Sequence, residues 1–168
     1  MLPQFFSPFR FLAKAFLSQD SPKQLAMGVA LGMVLGLVPK GNMTAACIGI
    51  VFFALRSNLG IGLLSALVFT SIAGFLDPVT HAIGAHLLQA DGLHSLWTWM
   101  YNTPPLPLFA LNNTVVLGSL IVGLALFYPT YRGTFKVVEK YQPQIIEFLN
   151  RYKITRWLLR AETAAKFT

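Results

Sequence analysis

Long apolar runs alternate with short polar breaks along this chain, and the first breaks come too early for a plain row of membrane-crossing helices. From Leu25 to Val38 fourteen residues are apolar or small, a run that reaches about 21 Å as a helix. Pro39, Lys40, Gly41 and Asn42 interrupt it, and Met43 to Leu55 then resumes for thirteen residues, about 20 Å by the same rise. A hydrocarbon core is about 30 Å thick, so neither arm crosses it unaided. The pair reads either as a re-entrant hairpin that dips into the bilayer and returns, or as two thin crossings whose turn barely reaches the far surface. "SPKQ" marks the start of the first arm, with Ser21 as N-cap, Pro22 at the first helical position and Gln24 closing a capping box.

The next stretch repeats the scheme. Leu59 to Leu76 is an eighteen-residue apolar helix, and Asp77 with Pro78 reads as a helix-breaking corner before a short arm from Val79 to Leu88. If a new helix starts at the proline, Asp77 and His81 form an i, i+4 pair. The predicted layout is therefore two broken hairpins, 22–55 and 59–90. "GLHSLWTWMYNTPPLPL" has no Lys or Arg but carries Trp97, Trp99 and Tyr101, which suits an outer loop over 91–105 with its aromatics at headgroup level. Leu106 to Tyr128 is the one uninterrupted full-length crossing, 106–128, and Asn112 and Asn113 near its outer end need polar partners. Phe5, Phe9, Leu12 and Phe16 have helical spacing opposite Arg10 and Lys14, so 1–20 is expected to lie as an amphipathic helix in the interface. Residues 129–168 form a basic amphipathic tail, with Ile145, Ile146 and Leu149 among Lys and Arg.

Composition supports lipid as the solvent. The chain is 55% hydrophobic and 11% charged, with a mean hydropathy of +0.59. Its net +7 sits at the ends: residues 1–23 carry +2, residues 129–168 carry +5, and the 105 residues between hold only Lys40, Arg56, Asp77 and Asp91. Basic ends around an apolar middle follow the positive-inside rule, so both termini are expected in the cytoplasm, with no role in nucleic-acid binding. The first residues lack the unbroken apolar stretch of a signal peptide. The single cysteine, Cys47, reads as a small buried hydrophobe. The expected fold class is thus an all-α integral membrane protein: two broken hairpins and one transmembrane helix, flanked by amphipathic interfacial helices.

Two groups of residues carry the functional expectations. Gly28, Gly32 and Gly36 recur every four residues, a face that lets another helix approach backbone to backbone; it serves either packing within the chain or a partner interface, with Trp97, Trp99 and Tyr101 as further docking residues. Lys40, Gly41, Asn42, Arg56, Asn58, Asp77, Thr80 and His81 include nearly all the strongly polar residues between 24 and 90. Charge at the bilayer centre costs roughly 2.5–3.5 kcal/mol even on a lenient scale, so these groups should face one another or water. They form either a polar pocket where the two breaks meet, able to hold an anionic headgroup, or a Lys/Arg pairing with Asp77 that fastens the hairpins. His81, His86 and His94 have no metal-site spacing, and neither a phosphate-cradling loop nor a nucleophile motif is present. No cofactor, metal or enzymatic activity is expected.

"SPKQLAMGVALGMVLGLVPKGN", "LRSN" and "DPVTHAIGAHLL" together resemble the bacterial membrane-protein family known as domain of unknown function 2062. Ser21, Pro22, Gly28, Gly32, Gly36, Pro39, Gly41, Arg56, Asn58, Pro78 and Thr80 match its ordered set of breaks over roughly residues 21–90, while Asp77 stands where the family pattern has asparagine. The resemblance implies a subunit of the bacterial inner membrane working beside a large AsmA-like protein that bridges the periplasm as a lipid conduit, with phospholipid as its ligand. The alternative from the residues alone is a stand-alone small-solute or ion transporter with a midplane site at the helix breaks.

Overall fold

The computed structural model describes residues 20–151; the interfacial helix expected over 1–20, save Asp20, and the tail residues 152–168 lie outside the described residues. Among the described residues five α-helices follow one another: α1 (Pro22–Leu37), α2 (Met43–Ala54), α3 (Leu59–Leu88), α4 (His94–Asn102) and α5 (Thr114–Arg151). Two 3-10 turns, Asp91–Leu93 and Leu106–Phe109, flank α4, and the described residues contain no strand.

α1 begins where its capping box requires. Ser21 Oγ accepts from Gln24 N at 3.4 Å, and Ser21 N donates to Gln24 Oε1 at 2.9 Å. This helix of 16 residues is the hub of the bundle, packed mainly on α3 and α5, with Leu25, Ala26, Ala30, Met33 and Val34 buried around its circumference. The glycine face lies on α3: a Cβ on Gly28 would stand 2.5 Å from Asn58 O, one on Gly36 would stand 2.7 Å from Ala66 O, and one on Gly32 would collide with Gly62 O. Only glycine permits backbones this close. Because Gly28 meets the start of α3 and Gly36 meets a point two turns further on, the two helices run parallel. α5 returns antiparallel, so Leu25 packs with Ile61 and Val138 at one end while Gly123 faces Val34 further along.

α3 overturns the expected second hairpin. It is one continuous helix of 30 residues that passes through Pro78 without breaking. The proline deletes one hydrogen bond, a loss of about 3 kcal/mol in a helix interior. Ending the helix there would strand several peptide groups among apolar neighbours, which is worse. Tertiary contact also holds the far side of Pro78. A Cβ on Gly84 would strike Thr114 O and one on Gly118 would strike Thr80 O, so two Thr-x-x-x-Gly units cross reciprocally and lock α3 to α5.

The boundaries of the last helix also differ from expectation. Residues 106–113 form the 3-10 turn and a cap, and the helix starts at Thr114, where Asn113 Oδ1 accepts from Val115 N at 2.9 Å and Val116 N at 3.2 Å. It then runs through Pro129 and Pro143, so 128/129 is no boundary. Val138 is buried against Leu25 and Ile61, and Gln142 Nε2 donates to Asp20 O at 3.2 Å. That part of the basic segment belongs to the bundle because its apolar face has a partner there. The outer loop is likewise ordered, as α4.

α3 and α5 are long and apolar enough to cross a membrane, and only 11% and 28% of their most apolar stretches are buried within the protein. A core helix of a soluble domain would be mostly covered. Exposed Leu59, Leu63, Leu67, Ile72, Phe75 and Val79 on α3 extend over about 30 Å of helix, the thickness of a hydrocarbon core. Gly32→Ala is expected to lose about 1–3 kcal/mol by overpacking, whereas Gly74→Ala, whose added Cβ meets nothing within 4 Å, gains about 0.5–1 kcal/mol from helix propensity. Equilibrium unfolding in mixed micelles measures both.

Candidate functional site

Pro39 cannot continue α1, and the chain leaves the helix at Val38 in an extended conformation (φ −73°, ψ 128°). The return needs a positive φ, supplied by Gly41 at +89°. Asn42 then opens α2: its Oδ1 accepts from Ala45 N at 2.9 Å, and its Nδ2 donates to Pro39 O at 2.8 Å. Lys40 folds back over the end of α1. Its Nζ donates to Leu35 O at 2.6 Å, Gly36 O at 3.2 Å and Val38 O at 2.6 Å. An ammonium has three donors, and all three are engaged. Positive charge at the C-terminal end of a helix also complements its dipole.

Depth follows from α3. Thr70 Oγ1 donates to Gly36 O at 3.2 Å, sharing that carbonyl with Lys40. Thr70 lies eleven residues beyond Leu59 and nine before Val79, about 16 Å and 14 Å along the helix. On its other side the turn packs beside Ala110, Leu111 and Val116, and Lys40 itself is exposed, so the ammonium stands level with the loop that precedes α5.

Arg56 and Asn58 sit at the other end of α2, about 18 Å from the turn along that helix. Asn58, buried, ties three elements together. Its Oδ1 caps Ile61 N at 2.8 Å, its Nδ2 reaches Asp20 Oδ2 at 2.6 Å, and its backbone N–H donates to Gln24 O at 3.1 Å. Arg56 is exposed and makes no hydrogen bond or ion pair with the described residues. Asp77 and His81 are exposed at the opposite edge of the α3 band. His81 Nδ1 lies 2.6 Å from Thr114 Oγ1 rather than pairing with Asp77, and buried Thr80 donates to Asp77 O at 3.1 Å beside the Gly118 contact.

The eight polar residues are thus dispersed over three levels, and no pocket gathers them. The expected meeting point is missing because the second break is missing. Charges avoid the desolvation cost by lying near the two edges of the band, or, for Lys40, by bonding to carbonyls. At the far end Trp97 Nε1 donates to Leu87 O at 3.0 Å, Trp99 and Tyr101 are exposed, and Trp97 and Tyr101 line an open cleft with Leu88 and Met100.

Between the polar ends lies a feature not anticipated in the sequence. α2 has 12 residues, and only Thr44, Ala45 and Phe52 are buried, whereas Ile50, Val51 and Phe53 are exposed. Two anchors hold it: Thr44 Oγ1 donates to Phe109 O at 2.6 Å, and Phe52, fully buried, presses its ring on Gly62. The glycine at 62 was the available signal, since it admits the ring. α2 is therefore an apolar helix of about 18 Å, short of the hydrocarbon thickness, facing outward beside a neighbour whose exposed apolar band runs for about 30 Å.

Asn58→Ala is expected to lose about 1–3 kcal/mol, from a deleted cap and stranded polar partners. Arg56→Ala should stay within about 0.5 kcal/mol of wild type. Thermal unfolding of both variants in one detergent separates the structural residue from the free one.

The comparisons with known proteins agree in direction. The family profile described as an uncharacterized protein conserved in bacteria, domain of unknown function 2062, matches residues 9–145. A protein of Treponema pallidum (strain Nichols), itself described only as uncharacterized, is 28% identical over 131 residues, covering 78% of each chain. No solved structure matches. With the match spanning most of its length, this chain belongs to the bacterial family domain of unknown function 2062.

Proposed function

We propose that this chain is an inner-membrane subunit of a lipid-transport assembly, which loosens phospholipid beside α2 and passes it to an AsmA-like periplasmic bridge protein. One observation carries the proposal: α2 exposes Ile50, Val51 and Phe53 over a helix of 12 residues. Lipid against a helix about 10 Å too short must thin or tilt, and such mismatch raises its energy relative to bulk bilayer. The polar turn Lys40–Asn42 and the free Arg56 guanidinium bound the thinned strip. With the Lys40 donors committed to carbonyls, Arg56 is the group able to meet a headgroup phosphate, by a bidentate fork.

Both termini then face the cytoplasm, in keeping with their positive charge, and α4 with Trp97, Trp99 and Tyr101 faces the periplasm, where the bridge protein would dock. The AsmA-like partner follows from the family resemblance, and the phospholipid from the mismatch. A carrier for a small solute or ion would need midplane polar groups free to meet its cargo, and the commitment of Lys40 weighs against that reading.

Purification from native membranes is expected to bring down phospholipid and a large AsmA-like chain, both identified by mass spectrometry. Arg56→Glu should lower bound phospholipid roughly tenfold, a loss of about 1.4 kcal/mol, with unfolding behaviour unchanged. Recovery of neither lipid nor bridge protein, or solute flux through liposomes holding this protein alone, would overturn the proposal.

A further inference from the structure

α5 turns one face to the bundle and leaves the opposite one bare. Val138 packs with Leu25 and Ile61, and Gln142 donates to Asp20 O; these buried contacts fix how the helix is rotated about its axis. Arg132, Lys136 and Lys140 then lie in one row on its exposed side, with about 5–6 Å from each Cβ to the next. Lys136 and Lys140 bracket Val138, which meets Ile61 in the first turn of α3, so the row runs along the Leu59 end of the exposed α3 band. None of the three cations makes an ion pair with a described residue: Glu139, exposed beside the row, is not bonded to them, and Lys140 Nζ stands 5.3 Å from the centre of the Tyr141 ring. Gly133 opens a notch in the same face. A Cβ added there would meet nothing within 4 Å, so no packing inside the bundle calls for glycine, although glycine weakens a helix relative to alanine. Towards the middle of the helix the face continues as exposed Ala125, Leu126 and Pro129.

We propose that this face of α5 binds an anionic phospholipid of the phosphatidylglycerol kind, its phosphate between Arg132 and Lys136 over the Gly133 notch and its chains along Leu126 and Pro129. Arginine meets a phosphate through a bidentate fork and lysine as a point charge, so the pair grips one group from two sides. Charge complementarity chooses among lipids. Three cations with a single carboxylate beside them attract a headgroup of net negative charge, whereas the ammonium of a zwitterionic headgroup meets its like. The apolar strip chooses lipid over a free phosphate, because a soluble anion makes no use of Ala125, Leu126 and Pro129. The inference goes beyond the lipid-transfer reading: it concerns α5, not α2 or Arg56, and stands whether or not α2 passes lipid to a partner.

The test uses the full-length protein in nonionic detergent, titrated with phosphatidylglycerol and with phosphatidylethanolamine of the same chains and read by native mass spectrometry. Phosphatidylglycerol should bind roughly tenfold more tightly. Arg132→Gln and Lys136→Gln should each weaken it roughly fivefold, while Lys23→Gln, at the start of α1, should leave it unchanged. Gly133→Leu fills the notch with every charge in place and should also weaken it several-fold. Glycerol phosphate, the headgroup anion without chains, should not displace the lipid at equal concentration. Equal affinity for the two lipids, no loss in the glutamine variants, an equal loss in Lys23→Gln, full binding by Gly133→Leu, or displacement by glycerol phosphate would each overturn the proposal. If Gly133→Leu does not fold, the two glutamine variants, both at exposed positions, decide. None of these readouts involves α2, Arg56 or the bridge protein, so failure here leaves the transfer reading as it was.

Discussion

The close approach of α1 to α3 through Gly28, Gly32 and Gly36 is the contact on which the rest of the molecule depends. It seats a helix of 16 residues at the centre of a bundle whose other crossing elements are far longer. Lipid tails are as apolar as leucine, so no hydrophobic force draws α1 inward; packing at backbone distance does. With α1 between α3 and α5, its far end is enclosed by protein, where a terminated helix can find partners for its carbonyls. Lys40, Thr70 and Asn42 are those partners or close the turn beside them.

α1 and α2 are similar in length and apolarity but have opposite surroundings. α1 is shielded on nearly every side, whereas α2 hangs on the outside by Thr44 at one end and Phe52 at the other. The difference lies in small residues: three glycines on α1 meet α3, while Gly49 of α2 faces open space. A short shielded helix leaves the bilayer undisturbed, and a short exposed one does not. The exposure of α2, on which the proposed thinning rests, follows from the glycine packing of α1, which takes up the inner position.

The polar residues show one economy applied in different ways. Asp77 and Arg56 avoid desolvation by position, near opposite edges of the apolar band on α3. Asn58 is buried and answers with bonds to Asp20, Gln24 and Ile61. Lys40 stands exposed at the turn and answers with the carbonyls of Leu35, Gly36 and Val38. A set that looks like one pocket when read along the chain is thus three separate solutions to the same problem.

Local signals made much of this legible in the sequence. The capping box at Ser21 and Gln24, the stop at Pro39 and Gly41, the two short apolar arms and the helical class all depend on neighbours within a few residues, and all stand in the structure. Whether Pro78 ends a helix was not decidable in that way. The proline sets a fixed local cost, but Thr80 meets Gly118 and Gly84 meets Thr114, thirty or more residues away, and that contact lets the helix continue. The same long reach placed Val138 against Leu25, turned an expected surface tail into part of the bundle, and separated Lys40 from Arg56. Periodicity and caps determine which helices form; tertiary packing alone decided which of two short helices is shielded and which is exposed, because that depends on how closely distant backbones can approach.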